Sequence, residues 1–265
     1  MKHTQTISRV APAMTGSVHA VLGQVYYEWN QVDQARESLV HGIRLATLSA
    51  QPASVVYGNV HLACLHQRQG DLPAAAECLR VAGEALEKGA PGWARPDWIA
   101  QNANLLVALG NLSDAETTLR ASGVSADEPV SYGTDILHLA WLRWMIASRH
   151  PEAFSLAERI VQSAEVEGRN GTLLQALVLG SKVGDDADWL ARARTLGEPE
   201  GYQRVFMDEA GESMKDEFGS MNSALSTEAP EATPGQVKLH PSSSNRARIG
   251  SAAPARRGAV LCRNG

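Results

Sequence analysis

The chain has 265 residues, of which 44% are apolar, 20% charged and only 5% aromatic; this excludes a coreless polar chain and favours Ala- and Leu-rich helix over strand. The formal charge of −5 is unevenly spread, because the first 231 residues hold 18 basic and all 29 acidic residues, a net of −11, and so acidic a body excludes a duplex-DNA footprint on it. Cys64, Cys78 and Cys262 have no paired spacing, the N-terminus has no continuous apolar core, and no segment approaches the roughly 18 apolar residues that span a bilayer, so a cytoplasmic chain without disulfide framework or membrane span is expected.

Residues 1–13 are expected to be a disordered N-terminus, and residues 14–210 a repeat domain. Internal repeats decide the reading, and the period here is 40. In "YYEWNQVDQA" (26–35) a Trp-Asn pair interrupts an apolar helical run, and Ala-centred helical spacing then resumes. The same event recurs as "HQRQGDLPAA" and as "LLVALGNLSDA". Gly23, Ala63 and Ala103 correspond, as do the turn residues Asn30, Gly70 and Gly110. After the turn, Ala35, Ala75 and Ala115 correspond, then Leu39, Leu79 and Leu119, then Gly42, Ala82 and Ser122. Small residues at fixed places admit the knobs of a neighbouring helix where two helices cross. Asn and Gly at the turn tolerate the left-handed conformation that ends the first helix. Asp33, Asp71 and Asp114 suit the start of the second helix, where a carboxylate complements the helix dipole.

The pattern predicts helical hairpins over 15–30 and 32–49, 54–69 and 72–88, and 95–109 and 112–122. A fourth hairpin is placed at 131–148 and 151–167, with Pro151 starting its second helix. It departs from the pattern, because "ASRHPEAF" lacks the turn glycine and Leu142 or Arg143 stands where a small residue is expected. A fifth unit, "NGTLLQALVLGSKVGDDADWLARARTLG", is compressed. From residue 211 the period is lost; the Pro-, Ser- and Ala-rich stretch to residue 265, basic after residue 231, reads as a disordered tail. The expected fold class is therefore all-α, with tetratricopeptide-like hairpins in a superhelical solenoid.

The phrases "LGQVYYEWNQVDQARESLVHGIRLA", "EGRNGTLLQAL" and "EPEGYQRVFMDEA" resemble the C-terminal sensor region of MalT-like, LuxR-type transcriptional regulators, over about residues 14–210. The resemblance implies a superhelical domain that senses an inducer, flanked in the family by an NTPase domain and a helix-turn-helix. This chain has no G-x-x-x-x-G-K-[ST] motif, and none of its five lysines follows a glycine. The basic tail has no apolar period from which to build a helix-turn-helix. A truncated sensor module without specific DNA binding of its own is the resulting expectation, and a free-standing adaptor for a peptide or protein segment is the alternative.

No H-E-x-x-H, G-x-S-x-G or C-x-x-C occurs, so no catalytic residues, cofactor or metal are expected, and the chain is not read as an enzyme. His61 and Cys64 share a helix face at i, i+3, but two ligands without a convergent third do not make a metal site. "GDDAD" (184–188) lacks the later Glu of a calcium loop and reads as a solvated helix start. Binding is expected on the concave face, lined by the first helix of each hairpin. Counting from the small residues, its outward side carries Gln24, Tyr27, Glu28, Tyr57, Gln67, Arg68, Asp97 and Asn104. That mixture of polar and aromatic groups suits a small-molecule inducer or a protein or peptide segment as the partner, with self-association of the array as a further mode.

Overall fold

Antiparallel hairpins follow the expected pattern: α1 (Lys2–Glu28) with α2 (Val32–Leu48), α3 (Pro52–Arg68) with α4 (Leu72–Glu87), and α5 (Arg95–Ala108) with α6 (Leu112–Arg120). They are followed by α7 (Asp135–Ser148), α8 (Ala153–Val166), α9 (Asn170–Gly180), α10 (Asp188–Gly197) and the short α11 (Arg204–Glu209). This computed structural model describes residues 2–184 and 188–209, with side chains from Thr15 onward, and the described residues lie in one compact unit. Among them the regular structure is entirely helical, and no helix is long and apolar enough to cross a membrane. The first turns of α1 run through the segment expected to precede the repeats. The expected tail, 211–265, lies outside the described residues, as do residues 185–187 of "GDDAD".

The turn chemistry is regular. Asn30, Gly70 and Gly110 all take positive φ, at 58°, 82° and 77°. In each case the next N–H reaches back over the turn: Gln31 to Tyr26 O, Asp71 to His66 O and Asn111 to Leu106 O, at 2.8–2.9 Å. These are the six-to-one bonds that satisfy the last carbonyls of a helix. Asp71 then caps α4, its Oδ1 accepting from Ala74 N–H at 3.1 Å.

The fourth hairpin repeats this turn one residue early. Arg149 takes the left-handed conformation at φ 57°, and His150 N–H bonds Met145 O at 2.8 Å. The step from Gly110 to Arg149 is 39 residues, which accounts for the anomaly seen in the sequence. Leu142 holds the position of Ala103 and is fully buried. Arg143 falls into the row of Gln24, Cys64 and Asn104, and so faces the groove rather than the helix crossing. The same hairpin starts later than expected, at Asp135 and Ala153, because Ser131–Thr134 and His150–Glu152 form turns ahead of the two helices.

Ala35, Ala63, Ala75, Ala82, Ala103 and Ala115 are all fully buried, against Leu39, Leu79 and Leu119. The core accordingly runs in successive clusters along the chain. Ala75→Leu is expected to overpack one crossing and cost roughly 1–3 kcal/mol. A urea midpoint equal to that of the wild type would show that this register is wrong. In the hairpin array, α3 packs on α1 and α5, α5 on α7, and α7 on α9. The odd-numbered helices thus form the inner layer, and their outward side is the concave face.

Candidate functional site

The inner layer presents side chains one turn apart because positions four residues apart share a helix face. On α1 these are Gln24, Tyr27 and Glu28; on α3, Cys64 and Arg68; on α7, Arg143; on α9, Gln175. They meet beneath α11, which lies over the face. Two glycines make the approach of α11 possible. Gly197 lies against Phe206, where a Cβ would stand 3.2 Å from the ring, and Gly201 turns the chain at φ +79° against the indole of Trp29. Trp29, at the first hairpin tip, is thereby a packing residue, 45% exposed and seated on the segment that leads into α11.

Main-chain and side-chain bonds both hold α11. Gln203 N–H donates to Glu28 O at 3.0 Å. Arg204 stacks 4.9 Å over the Tyr27 ring, donates to Asn30 Oδ1 at 3.3 Å and pairs with Asp208 one turn on. The Tyr27 hydroxyl donates to Asp208 Oδ2 at 2.5 Å. Arg68 donates to the Asp208 carbonyl at 2.9 Å and to Glu209 Oε1 at 2.8 Å. Arg143 reaches the same Oε1 from Nε at 3.0 Å, while its Nη2 donates to Gln175 Oε1 at 2.8 Å. Lys182 Nζ stands 3.8 Å from Glu209 Oε2. Phe206 is fully buried, and Val205 and Glu209 nearly so.

Burial would raise the Glu209 carboxyl, but Arg143, Arg68 and Lys182 outweigh it and hold the group down at about 2. Burial lowers the Lys182 ammonium, with Glu209 opposing. Burial also dominates at Asp208, whose carboxyl is raised against the pull of Arg68 and Arg204, and at Tyr27 and Cys64, both of which are raised. Glu28 is pushed up to about 7 by burial and then by the Asp208 charge.

Beside α11 lies a cavity of about 190 Å³ lined by Gln24, Tyr27, Glu28, Cys64, Arg68, Gln175 and Tyr202, among others. On the other side of Arg68 a second cavity, of about 430 Å³, is lined by Gln67, Ala108, Arg204, Met207 and Asp208. The residues expected on the concave face divide accordingly. Gln24, Tyr27, Glu28 and Arg68 converge on the first cavity, and Gln67 and Arg68 on the second. Tyr57, Asp97 and Asn104 line neither. The Tyr57 hydroxyl donates to Gln24 Oε1, and its pKa is pushed up to about 12 by burial and by Asp97. Gln67 Nε2 donates to the Asn104 carbonyl at 3.2 Å, and the two are joined again through Gln101, whose Nε2 donates to Gln67 Oε1 at 2.7 Å. The His61 ring meets that of Tyr57 at a tilt of 58° with 4.3 Å between centroids, and burial lowers its pKa to about 4. Among the described residues there is no group of three or more His, Cys, Asp or Glu side chains that could hold a metal ion.

Arg143, Gln175, Lys182, Tyr202, Arg204, Asp208 and Glu209 were not among the expected residues. Arg143 was legible only with the one-residue shift of the fourth turn. The others come from the fifth unit and α11, where the 40-residue pattern no longer applies.

Glu28 supplies a pH prediction. A carboxyl raised from 4.5 to about 7 binds its proton more tightly in the folded chain, so it costs nothing at low pH and destabilises as pH rises from about 4.5 through 7. Such a shift corresponds to at most about 3 kcal/mol, and partial exposure of the side chain reduces this to roughly 2 kcal/mol. Glu28→Gln is therefore expected to be stabilising at pH 8 and close to neutral at pH 5. Melting temperatures of both proteins at the two pH values check this, and an equal difference at both would refute it.

A family model for the MalT-like TPR region matches residues 1–223. No curated protein matches the chain.

Proposed function

The chain belongs to the MalT-like TPR region family, and from that membership we propose that it is the sensor and interaction module of a MalT-like, LuxR-type transcriptional regulator, with a small polar inducer bound in the concave groove beside α11. The observation that carries this reading is the convergence of Gln24, Tyr27, Glu28, Arg68, Gln175 and Tyr202 on one cavity roofed by the α11 segment. A few convergent polar groups in a mostly preformed concavity suit recognition of a small polar molecule. The titratable groups around it are engaged with one another: Asp208 with Tyr27 and Arg68, and Glu209 with three cations. We therefore assign the site binding rather than catalysis. Because α11 forms one wall, an inducer that fits the cavity would change how firmly α11 is held, which is the coupling a sensor needs.

A thermal-shift screen of polar metabolites against the wild-type chain tests this. At least one compound should raise the melting temperature in a concentration-dependent way. The shift should be lost in Gln24→Ala and in Gln175→Ala. Compounds that stabilise all three proteins equally would place the ligand elsewhere. A second reading, a groove that takes a peptide segment, is favoured by one observation: α11 is itself a peptide segment held in that groove.

A further inference from the structure

Arg68, Arg143 and Lys182 come from three separate places, α3, α7 and the end of α9. Among the described residues, every ion pair made by any of the three runs to Asp208 or Glu209 of α11. With α11 lifted away, the groove would present three cations with no carboxylate of the inner layer in ion-pair contact. Glu28, the inner-layer carboxyl that lines the same cavity, is in ion-pair contact with none of the three. The inner layer is thus built around a carboxylate that it does not itself supply.

The surrounding contacts specify what carries that carboxylate. Arg68 binds a main-chain carbonyl, Asp208 O, in addition to the acidic side chains. At the opposite end of the segment, Glu28 O accepts a main-chain N–H, from Gln203. Between them Val205 and Phe206 are buried as apolar anchors. Main-chain contacts at both ends, an apolar anchor in the middle and adjacent carboxylates at the last turn describe a peptide rather than a free anion.

We propose that Arg68, Arg143 and Lys182 form a recognition site for an acidic helical segment of a partner polypeptide, and that α11 is its intramolecular occupant. This inference rests on the peptide reading of the groove given above. The partner segment carries adjacent acidic residues preceded, two to three residues earlier, by an aromatic or aliphatic anchor, as in "RVFMDE". It binds by exchanging with α11, which is only six residues long and follows the left-handed turn at Gly201. Occupancy by α11 then sets the threshold that a partner must exceed.

The test uses the full chain carrying Asp208→Asn and Glu209→Gln, which removes the internal carboxylates, and a fluorescein-labelled peptide of sequence YQRVFMDE. Anisotropy should show binding by this variant, weakened as salt is raised. The wild type should bind at least roughly ten-fold more weakly, because its own α11 competes. A peptide ending in Asn-Gln, or the variant with Arg143→Gln added, should lose roughly thirty-fold or more, as expected when one side of a buried charge pair is removed. Failure of the folded variant to bind the peptide, or equal binding of the Asn-Gln peptide, overturns the proposal. If the variant does not fold, hydrogen exchange on the wild type decides: excess YQRVFMDE should speed exchange of the α11 amides, and no change overturns the proposal. A concentration-dependent wild-type dimer abolished by Glu209→Gln would assign the site to a second copy of this chain and overturn the partner assignment. Peptide failure alongside metabolite hits that depend on Gln24 removes this inference alone, whereas peptide binding without any metabolite hit removes only the small-inducer reading.

Discussion

Glu209→Ala is expected to cost about 3–5 kcal/mol, or the whole docking free energy of α11 if that is smaller. The carboxylate is almost fully buried and meets Arg68, Arg143 and Lys182 at once. Removing it leaves three cations with, among the described residues, only Asp208 and the partly ionised Glu28 as acids lining the same cavity, so the desolvation cost of those cations is no longer fully offset. The chain has one escape, which is to release α11 and let water reach them. Loss of protection at the amides of 204–209 is therefore expected, together with a lower urea midpoint or, if release is complete, with a midpoint set by the repeats alone. Unchanged exchange and an unchanged midpoint would show that the network contributes nothing. The wild type should show the same release on acidification. A carboxyl depressed to about 2 contributes its full stabilisation above its ordinary value of 4.5, and loses it as pH falls from there through about 2. Glu209→Gln, which keeps an acceptor oxygen, should lose less than the alanine variant.

Gly42→Leu is expected to cost about 3 kcal/mol or more, at the upper end of what overpacking does. A Cβ on Gly42 would stand 2.8 Å from Ala20 N and 2.8 Å from Gly16 O. Those atoms are backbone, so no side chain can swing aside; α1 and α2 would have to separate along the whole hairpin. Since α1 also carries Gln24, Tyr27 and Glu28, the separation would loosen the groove as well as the fold. Gly70 provides the contrast. A Cβ there meets nothing within 4 Å, and only its φ of +82° opposes substitution. Gly70→Ala should then cost about 1–2 kcal/mol, the price of a left-handed residue with a side chain. Urea unfolding of the two variants side by side checks the ranking, and a smaller loss for Gly42→Leu than for Gly70→Ala would contradict the close approach of α1 and α2.

The hairpins were legible in the sequence because each depends on local rules. A left-handed residue must follow each first helix, and Asn30, Gly70 and Gly110 are of the types that tolerate it. Helices that cross closely need small residues, and Ala35, Ala75 and Ala115 recur at the period of the turns and are fully buried. From these alone the all-helical repeat architecture and its inner face could be read. The placement of Gln24, Tyr27, Glu28 and Arg68 around one cavity follows from the same face assignment. The fourth hairpin marks the edge of what such rules reach. Arg149 adopts the left-handed conformation without being Gly or Asn, so neither the turn nor the 39-residue step announced itself, and Leu142 and Arg143 stood as alternatives for the position at the helix crossing. What the tertiary structure alone decided is the seating of α11. Its contacts with Tyr27, Arg68 and Arg143 span 181, 140 and 66 residues of chain. No periodicity encodes a pairing at such separations, because periodicity reports only which face of a helix a residue occupies. Which carboxylate meets which cation depends on how five hairpin units curve together, and that is a sum of many small packing angles, not a property of any short stretch of sequence.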